Sequence, residues 1–331
     1  MKRADRWRAI APLMLLLFLD ATGSSWAGAA RDKLILVVPH RVLFTVAVPI
    51  YIAQEKGFFR DNNLDVDAVF TRGGGETVQA VVSGDAQIGL STGMFAVISA
   101  FVKKAPVKIA AAEITGMDTF WYVQSNTTMR RFDDLAGKKV SYSRPGASSH
   151  MAVLAIAEQL RAKGLKPAEA VSLGGIPEVY TGVRTGQADA GWSVAPFMLD
   201  RVEKGELRIV ARGDEIQALK EVTTRVHFVN QEFAAKNRDA MRGFFRAHQR
   251  AVQYMMDNKE ESARIWMKKA ELKLPESAVL KTWDFYNKAA LAAKPIRGLS
   301  QTMEDAVKFN FLKQKLTQAE LDQLIDLSYL Q

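Results

Sequence analysis

The stretches Leu34-Ile35-Leu36-Val37-Val38-Pro39 and Pro49-Ile50-Tyr51-Ile52-Ala53-Gln54-Glu55-Lys56-Gly57-Phe58-Phe59 decide the fold of this chain. The first is an apolar run too short for a helix and ended by proline, the pattern of a strand buried on both faces. In the second, Val48, Tyr51 and Ile52 recur at helical spacing, Pro49 suits a first helical turn, and Gly57 suits a left-handed cap. Working outward, Leu64, Val66 and Ala68 alternate as a strand. Gly73-Gly74-Gly75 turns the chain into a short helix carrying Val78, Val81 and Val82, which Gly84 ends. Gln87-Ile88-Gly89-Leu90 reads as a third strand. Strand, helix, strand, helix, strand with short links predicts a parallel sheet with right-handed crossovers.

An apolar helix around Phe95 to Phe101 and a strand from Val107 to Ala112 complete this unit. Phe120-Trp121-Tyr122-Val123 then reads as a strand leaving it, and Val140 to Ser143 as the first strand of a second unit. The second unit echoes the first. A shift of 102 positions places Gly73 on Gly175, Glu76 on Glu178, Val81 on Val183, Gly84 on Gly186, Ala86 on Ala188 and Gly89 on Gly191. Self-similarity of this kind predicts two lobes built on one plan. A helix is expected from Ala195 to Glu203 and a strand from Leu207 to Val210, before Arg225 to Val229 returns to the first lobe. The rest is expected to be helical: Met241, Phe244, Phe245, His248, Val252, Met255 and Met256 form one apolar stripe, and further helices cover Ile265-Trp266, 283–291 and 316–330. His248 is read as a satisfied core histidine. The fold class is therefore α/β, with two lobes, each a mostly parallel sheet flanked by helices. Crossover strands near 121–124 and 225–229 join them. Lobe 1 spans 30–119 plus 226–331, and lobe 2 spans 120–225.

The 331 residues are enough for two cores, since single cores stop growing near roughly 250–300 residues. The net charge of +9 is scattered in pairs such as Lys103-Lys104 and Lys138-Lys139, with no basic stripe, so nucleic acid is not an expected partner. Lys2, Arg3, Arg6 and Arg8, a short apolar core from Ile10 to Leu19, and small residues up to Ala29 read as an expected export leader. Residues 1–27 are assigned to it, with cleavage after Ala27 and Ala29 as second choice. The chain has no cysteine, which removes disulfides, thiol nucleophiles and lipid attachment together. Its four histidines, His40, His150, His227 and His248, have no metal-binding spacing, and neither metal nor cofactor is expected.

In open α/β sheets, ligands collect beyond the carboxyl ends of strands, where helix N-termini offer free N–H groups to anions. That rule selects His40 and Arg41 after the first strand, Ser91 and Thr92 after the third, and Glu113 after the fourth. Glu113 could accept a ligand N–H or balance a nearby cation. In the second lobe the rule selects Ser143-Arg144-Pro145-Gly146-Ala147-Ser148-Ser149-His150. Gly146 lets backbone approach a ligand, Ser148 or Ser149 can cap the next helix, and Arg144 can pair with an anion. The rival reading is a plain capped helix with a surface arginine. Trp192 and Ser193 follow the last strand of the repeat, with Trp192 placed to stack a ligand or to wall the cleft.

The segments 52–59, 64–66, 78–80 and 83–89 resemble the nitrate/sulfonate/taurine-type solute-binding proteins of ABC transporters. Thiamine-pyrimidine-precursor binding proteins and a few enzymes belong to the same superfamily. The resemblance implies a two-lobed periplasmic binding protein of type II that closes on a small organic anion, a sulfonate, carboxylate or nitrate. Proteins of this kind place the 143–150 loop in the cleft. It also implies delivery to a membrane permease driven by a separate ATPase, a monomeric state, and a periplasmic location without a lipid anchor. The site set is then His40, Arg41, Ser91, Thr92, Glu113, Arg144, Gly146, Ser148, Ser149, Trp192 and Ser193. Alternatives are a pyrimidine thiamine precursor as ligand, a sensing module for a receptor, or an exported enzyme of the same fold. The cysteine-bearing motifs expected of the superfamily's enzymes are absent.

Overall fold

The computed structural model describes residues 31–71 and 73–331. The expected leader, 1–27, lies outside the described residues. In chain order the elements are β1 (Asp32–Pro39), α1 (Phe44–Glu55), β2 (Leu64–Thr71), α2 (Gly74–Val82), β3 (Ile88–Gly93), α3 (Met94–Val102), β4 (Val107–Thr115), β5 (Phe120–Gln124) and β6 (Lys139–Tyr142). There follow α4 (Ser148–Ala162), β7 (Glu169–Ser172), α5 (Ile176–Arg184), β8 (Gly191–Ser193), α6 (Leu199–Glu203), β9 (Leu207–Arg212) and β10 (Thr223–Asn230). Helices close the chain: α7 (Gln231–Lys236), α8 (Arg238–Asp257), α9 (Lys259–Ala270), α10 (Glu276–Leu280), α11 (Leu299–Lys308) and α12 (Gln318–Leu324).

The first sheet has the order β2-β1-β3-β10-β4. β1 runs parallel to β2 and β3, and β10 runs antiparallel to β3 and β4. The same plan recurs in the second lobe. There β6 pairs parallel with β7, β5 lies antiparallel between β8 and β9, and a parallel bridge from Val140 to Ala190 joins β6 to the start of β8. The order is thus β7-β6-β8-β5-β9. In each lobe the antiparallel strand, fourth in the order, enters from the other lobe: β5 follows β4, and β10 follows β9. The structure places α2 at 74–82 and α5 at 176–184, a shift of 102, with Gly84 (φ 85°) and Gly186 (φ 76°) in left-handed backbone after them.

Each element follows from its residues. β1 buries Leu34, Leu36 and Val38 against α1 and α8, while Val37 faces the other cluster, as a two-faced strand must. α1 ends where Gly57 adopts φ 74° and the Phe58 N–H donates to the Ala53 carbonyl, the closed turn that only a left-handed residue allows. Phe59 stacks on Phe244 of α8, with ring centroids 5.8 Å apart.

Four expectations shift. α1 starts at Phe44, so Pro49 lies inside the helix and the Thr45 carbonyl loses its usual helical donor. α6 covers only Leu199–Glu203, because Met198 (φ 66°) stops a helix from running in from Ala195. The stretch expected as a helix from 283 to 291 has a single 3-10 turn, Lys281–Phe285, with turns after it. Of 316–330, only Gln318–Leu324 is helical; Ile325 instead bridges to Ile109 at the edge of the first sheet.

Candidate functional site

The carboxyl ends of β1 and β3 face those of β6 and β8 across a cleft. One cavity of about 540 Å³ is lined by His40, Leu43, Arg144, Gly175, Glu178 and Trp192 among others. A smaller one shares His40, Leu43 and Trp192 with it and continues past Gly73, Gly93, Ala147 and Ser148 to Arg225. The larger volume lies within the range typical of small-molecule sites, roughly 300–1,000 Å³.

Five helices start at this cleft. Leu43, Gly73, Gly93, Ala147 and Gly175 are the residues that precede α1, α2, α3, α4 and α5, and all five line the cavities. None of these five starts carries a side-chain cap. The first turn of a helix has unpaired N–H groups and the positive end of the helix dipole, so the convergence makes a field that favours negative charge. Side chains add both signs. Arg144 and Glu178 are exposed in the cavity, and neither has an ion-pair partner among the described residues. Burial lowers the pKa of His40, against the pull of the Glu178 charge, and so favours a neutral imidazole.

His40 (φ 63°) and Ser91 (φ 47°) hold left-handed backbone, a conformation that costs a non-glycine residue on the order of 1 kcal/mol. Local bonds hold both in place. The His40 N–H donates to the Thr71 carbonyl at 2.9 Å, and the Ser91 N–H donates to His227 Nδ1 at 3.2 Å. Both strained residues lie at the ends of neighbouring strands on the first-lobe side of the cleft, and backbone strain of this kind clusters at functional sites.

Across the cleft, backbone meets backbone. A Cβ built on Gly93 would lie 2.5 Å from the Gly146 carbonyl oxygen and 2.7 Å from the Ser148 nitrogen. Only the missing side chain lets β3 and the 146–148 loop approach this closely. Gly146 (φ 80°) is buried against Ala96 and is not among the residues lining either cavity.

The floor is a buried ion cluster at the crossovers. Arg225 Nε donates to Glu113 Oε2 at 2.6 Å, and its two terminal nitrogens donate to Asp118 at 2.8 and 2.7 Å. The Tyr286 hydroxyl adds a bond to Asp118 at 2.8 Å. Burial alone would raise the Asp118 pKa, but the Arg225 charge holds it below the ordinary value.

Of the residues selected from the sequence, His40, Ser91, Arg144, Ser148 and Trp192 line the two cleft cavities. The others are committed elsewhere. Arg41 turns away and bonds the Lys269 carbonyl and Glu271, each at 3.1 Å. Glu113 faces Arg225, the cation-balancing alternative, because adjacent strands β4 and β10 bring the two side chains together. Ser149 does line the smaller cavity, but its hydroxyl bonds Ser143 Oγ at 2.9 Å and closes its own loop instead of capping α4. Ser193 is buried with its hydroxyl on the Phe197 carbonyl, and Thr92 is fully buried beneath Gly74. Sequence reasoning missed Gly73, Gly175, Glu178 and Arg225. The 102-residue repeat was the signal for the first three: a position matched in both lobes at a helix start faces the same cleft from two sides.

The family model NMT1/THI5 like matches residues 45–262. Among curated proteins, the chain is 24% identical over 226 residues to a 4-amino-5-hydroxymethyl-2-methylpyrimidine phosphate synthase of Candida albicans (strain WO-1), covering 65% of each chain. The chain thus spans just under two thirds of that relative's length. Among solved structures, the alkanesulfonate-binding protein SsuA of Xanthomonas axonopodis pv. citri bound to MOPS superposes with a TM-score of 0.71. The two are 15% identical, with 90% of this chain and 99% of that one covered. The periplasmic nitrate-binding protein NrtA of Synechocystis PCC 6803 gives 0.70 at 16% identity, covering 91% and 87%. At these identities the likeness shows the fold, that of two-lobed periplasmic binding proteins.

Proposed function

The chain belongs to the NMT1/THI5-like family, and on that premise we propose that it is a solute-binding protein that captures a small organic anion between its lobes and delivers it to a membrane permease. The observation that carries this reading is the meeting of five uncapped helix starts and Arg144 at one cleft, across its two adjoining cavities. A sulfonate or carboxylate would sit against the free N–H groups, with the Arg144 guanidinium paired to it. Contacts from both lobes favour the closed arrangement in which Gly93 meets Gly146. Lobe 1 as 30–119 plus 226–331 and lobe 2 as 120–225 are the bodies that would move. Export through the leader, a monomeric state and a separate ATPase on the permease belong to the same proposal, as does binding without turnover.

A second reading rests on Glu178. A carboxylate without an ion-pair partner among the described residues, lining the same cavity as Trp192, suits an amino-substituted ring, such as a pyrimidine precursor of thiamine. One experiment separates the two: native mass spectrometry of freshly purified protein, then thermal shifts with sulfonates, carboxylates, nitrate and aminopyrimidines. A true ligand raises stability with the logarithm of its concentration and is recovered unchanged. Arg144→Ala should weaken an anion about tenfold or more while leaving the unliganded melting temperature in place. Anion affinity equal to the wild type would remove Arg144 from the site, and product formation would replace the binder with an enzyme.

A further inference from the structure

A second cavity, of about 180 Å³, lies apart from the cleft on the α1 and α8 side of the first sheet. Its inner end holds Thr45, Glu113, His227 and His248, and its collar holds Val252, Met256 and Leu291. The outer residues Gln249, Gln253, Lys288 and Ala292 are exposed, so the pocket has a polar blind end, an apolar neck and an open mouth.

Two polar atoms at the blind end are unmatched. Glu113 is 4% exposed and spends Oε2 on Arg225, while Oε1 has no hydrogen-bond partner among the described residues. His248 is also 4% exposed, and its Nε2 has none. A buried acceptor left without a donor costs free energy, most of all on a carboxylate. His227 accepts the Ser91 N–H at Nδ1, so its neutral ring carries hydrogen on Nε2. The charges at the inner end are those of Arg225 against Glu113 and Asp118, a net negative balance. Lys288 at the mouth is paired with Asp257.

We propose that this cavity is a second ligand site, which takes a small primary ammonium with a short apolar body. The ammonium gives N–H donors to Glu113 Oε1 and His248 Nε2, and its carbon chain lies along Val252, Met256 and Leu291. The negative balance selects a cation, and the unmatched Glu113 oxygen, with His248 Nε2 taken in its acceptor tautomer, selects one that carries N–H groups. Water alone would match the polar end, but it gains nothing at the apolar neck.

The test titrates n-butylammonium chloride into the full chain at constant ionic strength, followed by calorimetry and by the imidazole signals of its four histidines. The expected result is one saturable site in the millimolar range or tighter, as about five heavy atoms allow, with the signals of His227 and His248 moving. Tetramethylammonium, a cation without N–H, and butanol, a body without charge, should each bind at least tenfold more weakly. Glu113→Gln should weaken butylammonium by a similar factor. Ala292→Phe at the exposed mouth should also weaken it, and it leaves the Arg225 pair intact if the first variant misfolds. Equal response to tetramethylammonium, movement confined to His40 and His150, or no saturable binding would each overturn the proposal.

Discussion

Gly93→Ala adds one methyl group where the two lobes meet, and it should act on closure alone. Gly93 has φ −56° and ψ 136°, which alanine adopts without strain, so the first lobe should fold as before. The new Cβ would stand 2.5 Å from the Gly146 oxygen, 2.7 Å from the Ser148 nitrogen and 2.9 Å from the Ala147 carbonyl carbon. All three are backbone atoms, which cannot rotate aside. Relaxing the shortest to the 3.4 Å of ordinary contact moves the lobes apart by about 0.9 Å. Overpacking on this scale costs about 1–3 kcal/mol, or roughly 5–150-fold in the dissociation constant of a ligand held by both lobes. The assay is calorimetry with whichever anion stabilises the wild type, beside small-angle scattering with and without it. We expect the melting temperature of the free protein to change by no more than a few degrees, while affinity drops and the compaction on binding shrinks. Affinity within twofold of the wild type would refute the view that this contact sets the closed distance.

Three further outcomes follow from named groups. Arg225→Met leaves the buried carboxylates of Glu113 and Asp118 without their cation and should cost about 3–5 kcal/mol in denaturant unfolding; a loss below 1 kcal/mol would show that the cluster opens to water. Burial pushes the pKa of His248 down to about 4, so the unfolded chain takes up a proton there that the folded chain refuses. Stability should therefore fall as pH drops from about 6.5 towards 4, by roughly 3 kcal/mol from this group, and His248→Phe should flatten that slope by about one proton. Glu178→Gln removes a negative charge from the cleft and should tighten anion binding several-fold at low salt, with less gain at high salt; an unchanged salt dependence would place the carboxylate off the ligand's path.

Within one lobe, the sequence was close to sufficient. Apolar runs, helical spacing and glycine stops are local signals, and they marked β1 to β4 and α1 to α3 because each element is chosen by its own periodicity. The second lobe was legible through repetition, since the same strand order recurs there. The C-terminal third was less so: the stretches expected to be long helices there are broken into turns that cover the first lobe, and what covers a surface is set by the surface.

What the residues determined alone is therefore the plan: two α/β halves, strand ends that present loops, and membership of the NMT1/THI5-like family. What only the tertiary structure decided is which way each polar side chain looks. Arg41 and Arg225 are both strand-end or strand arginines to a reader of the sequence, yet packing sends the first to Glu271 and the second to the floor of the cleft. The reason is physical. Periodicity is a property of neighbours along the chain, whereas a partner for a charge is found across space, by segments that lie 112 residues apart in the pair of Glu113 and Arg225.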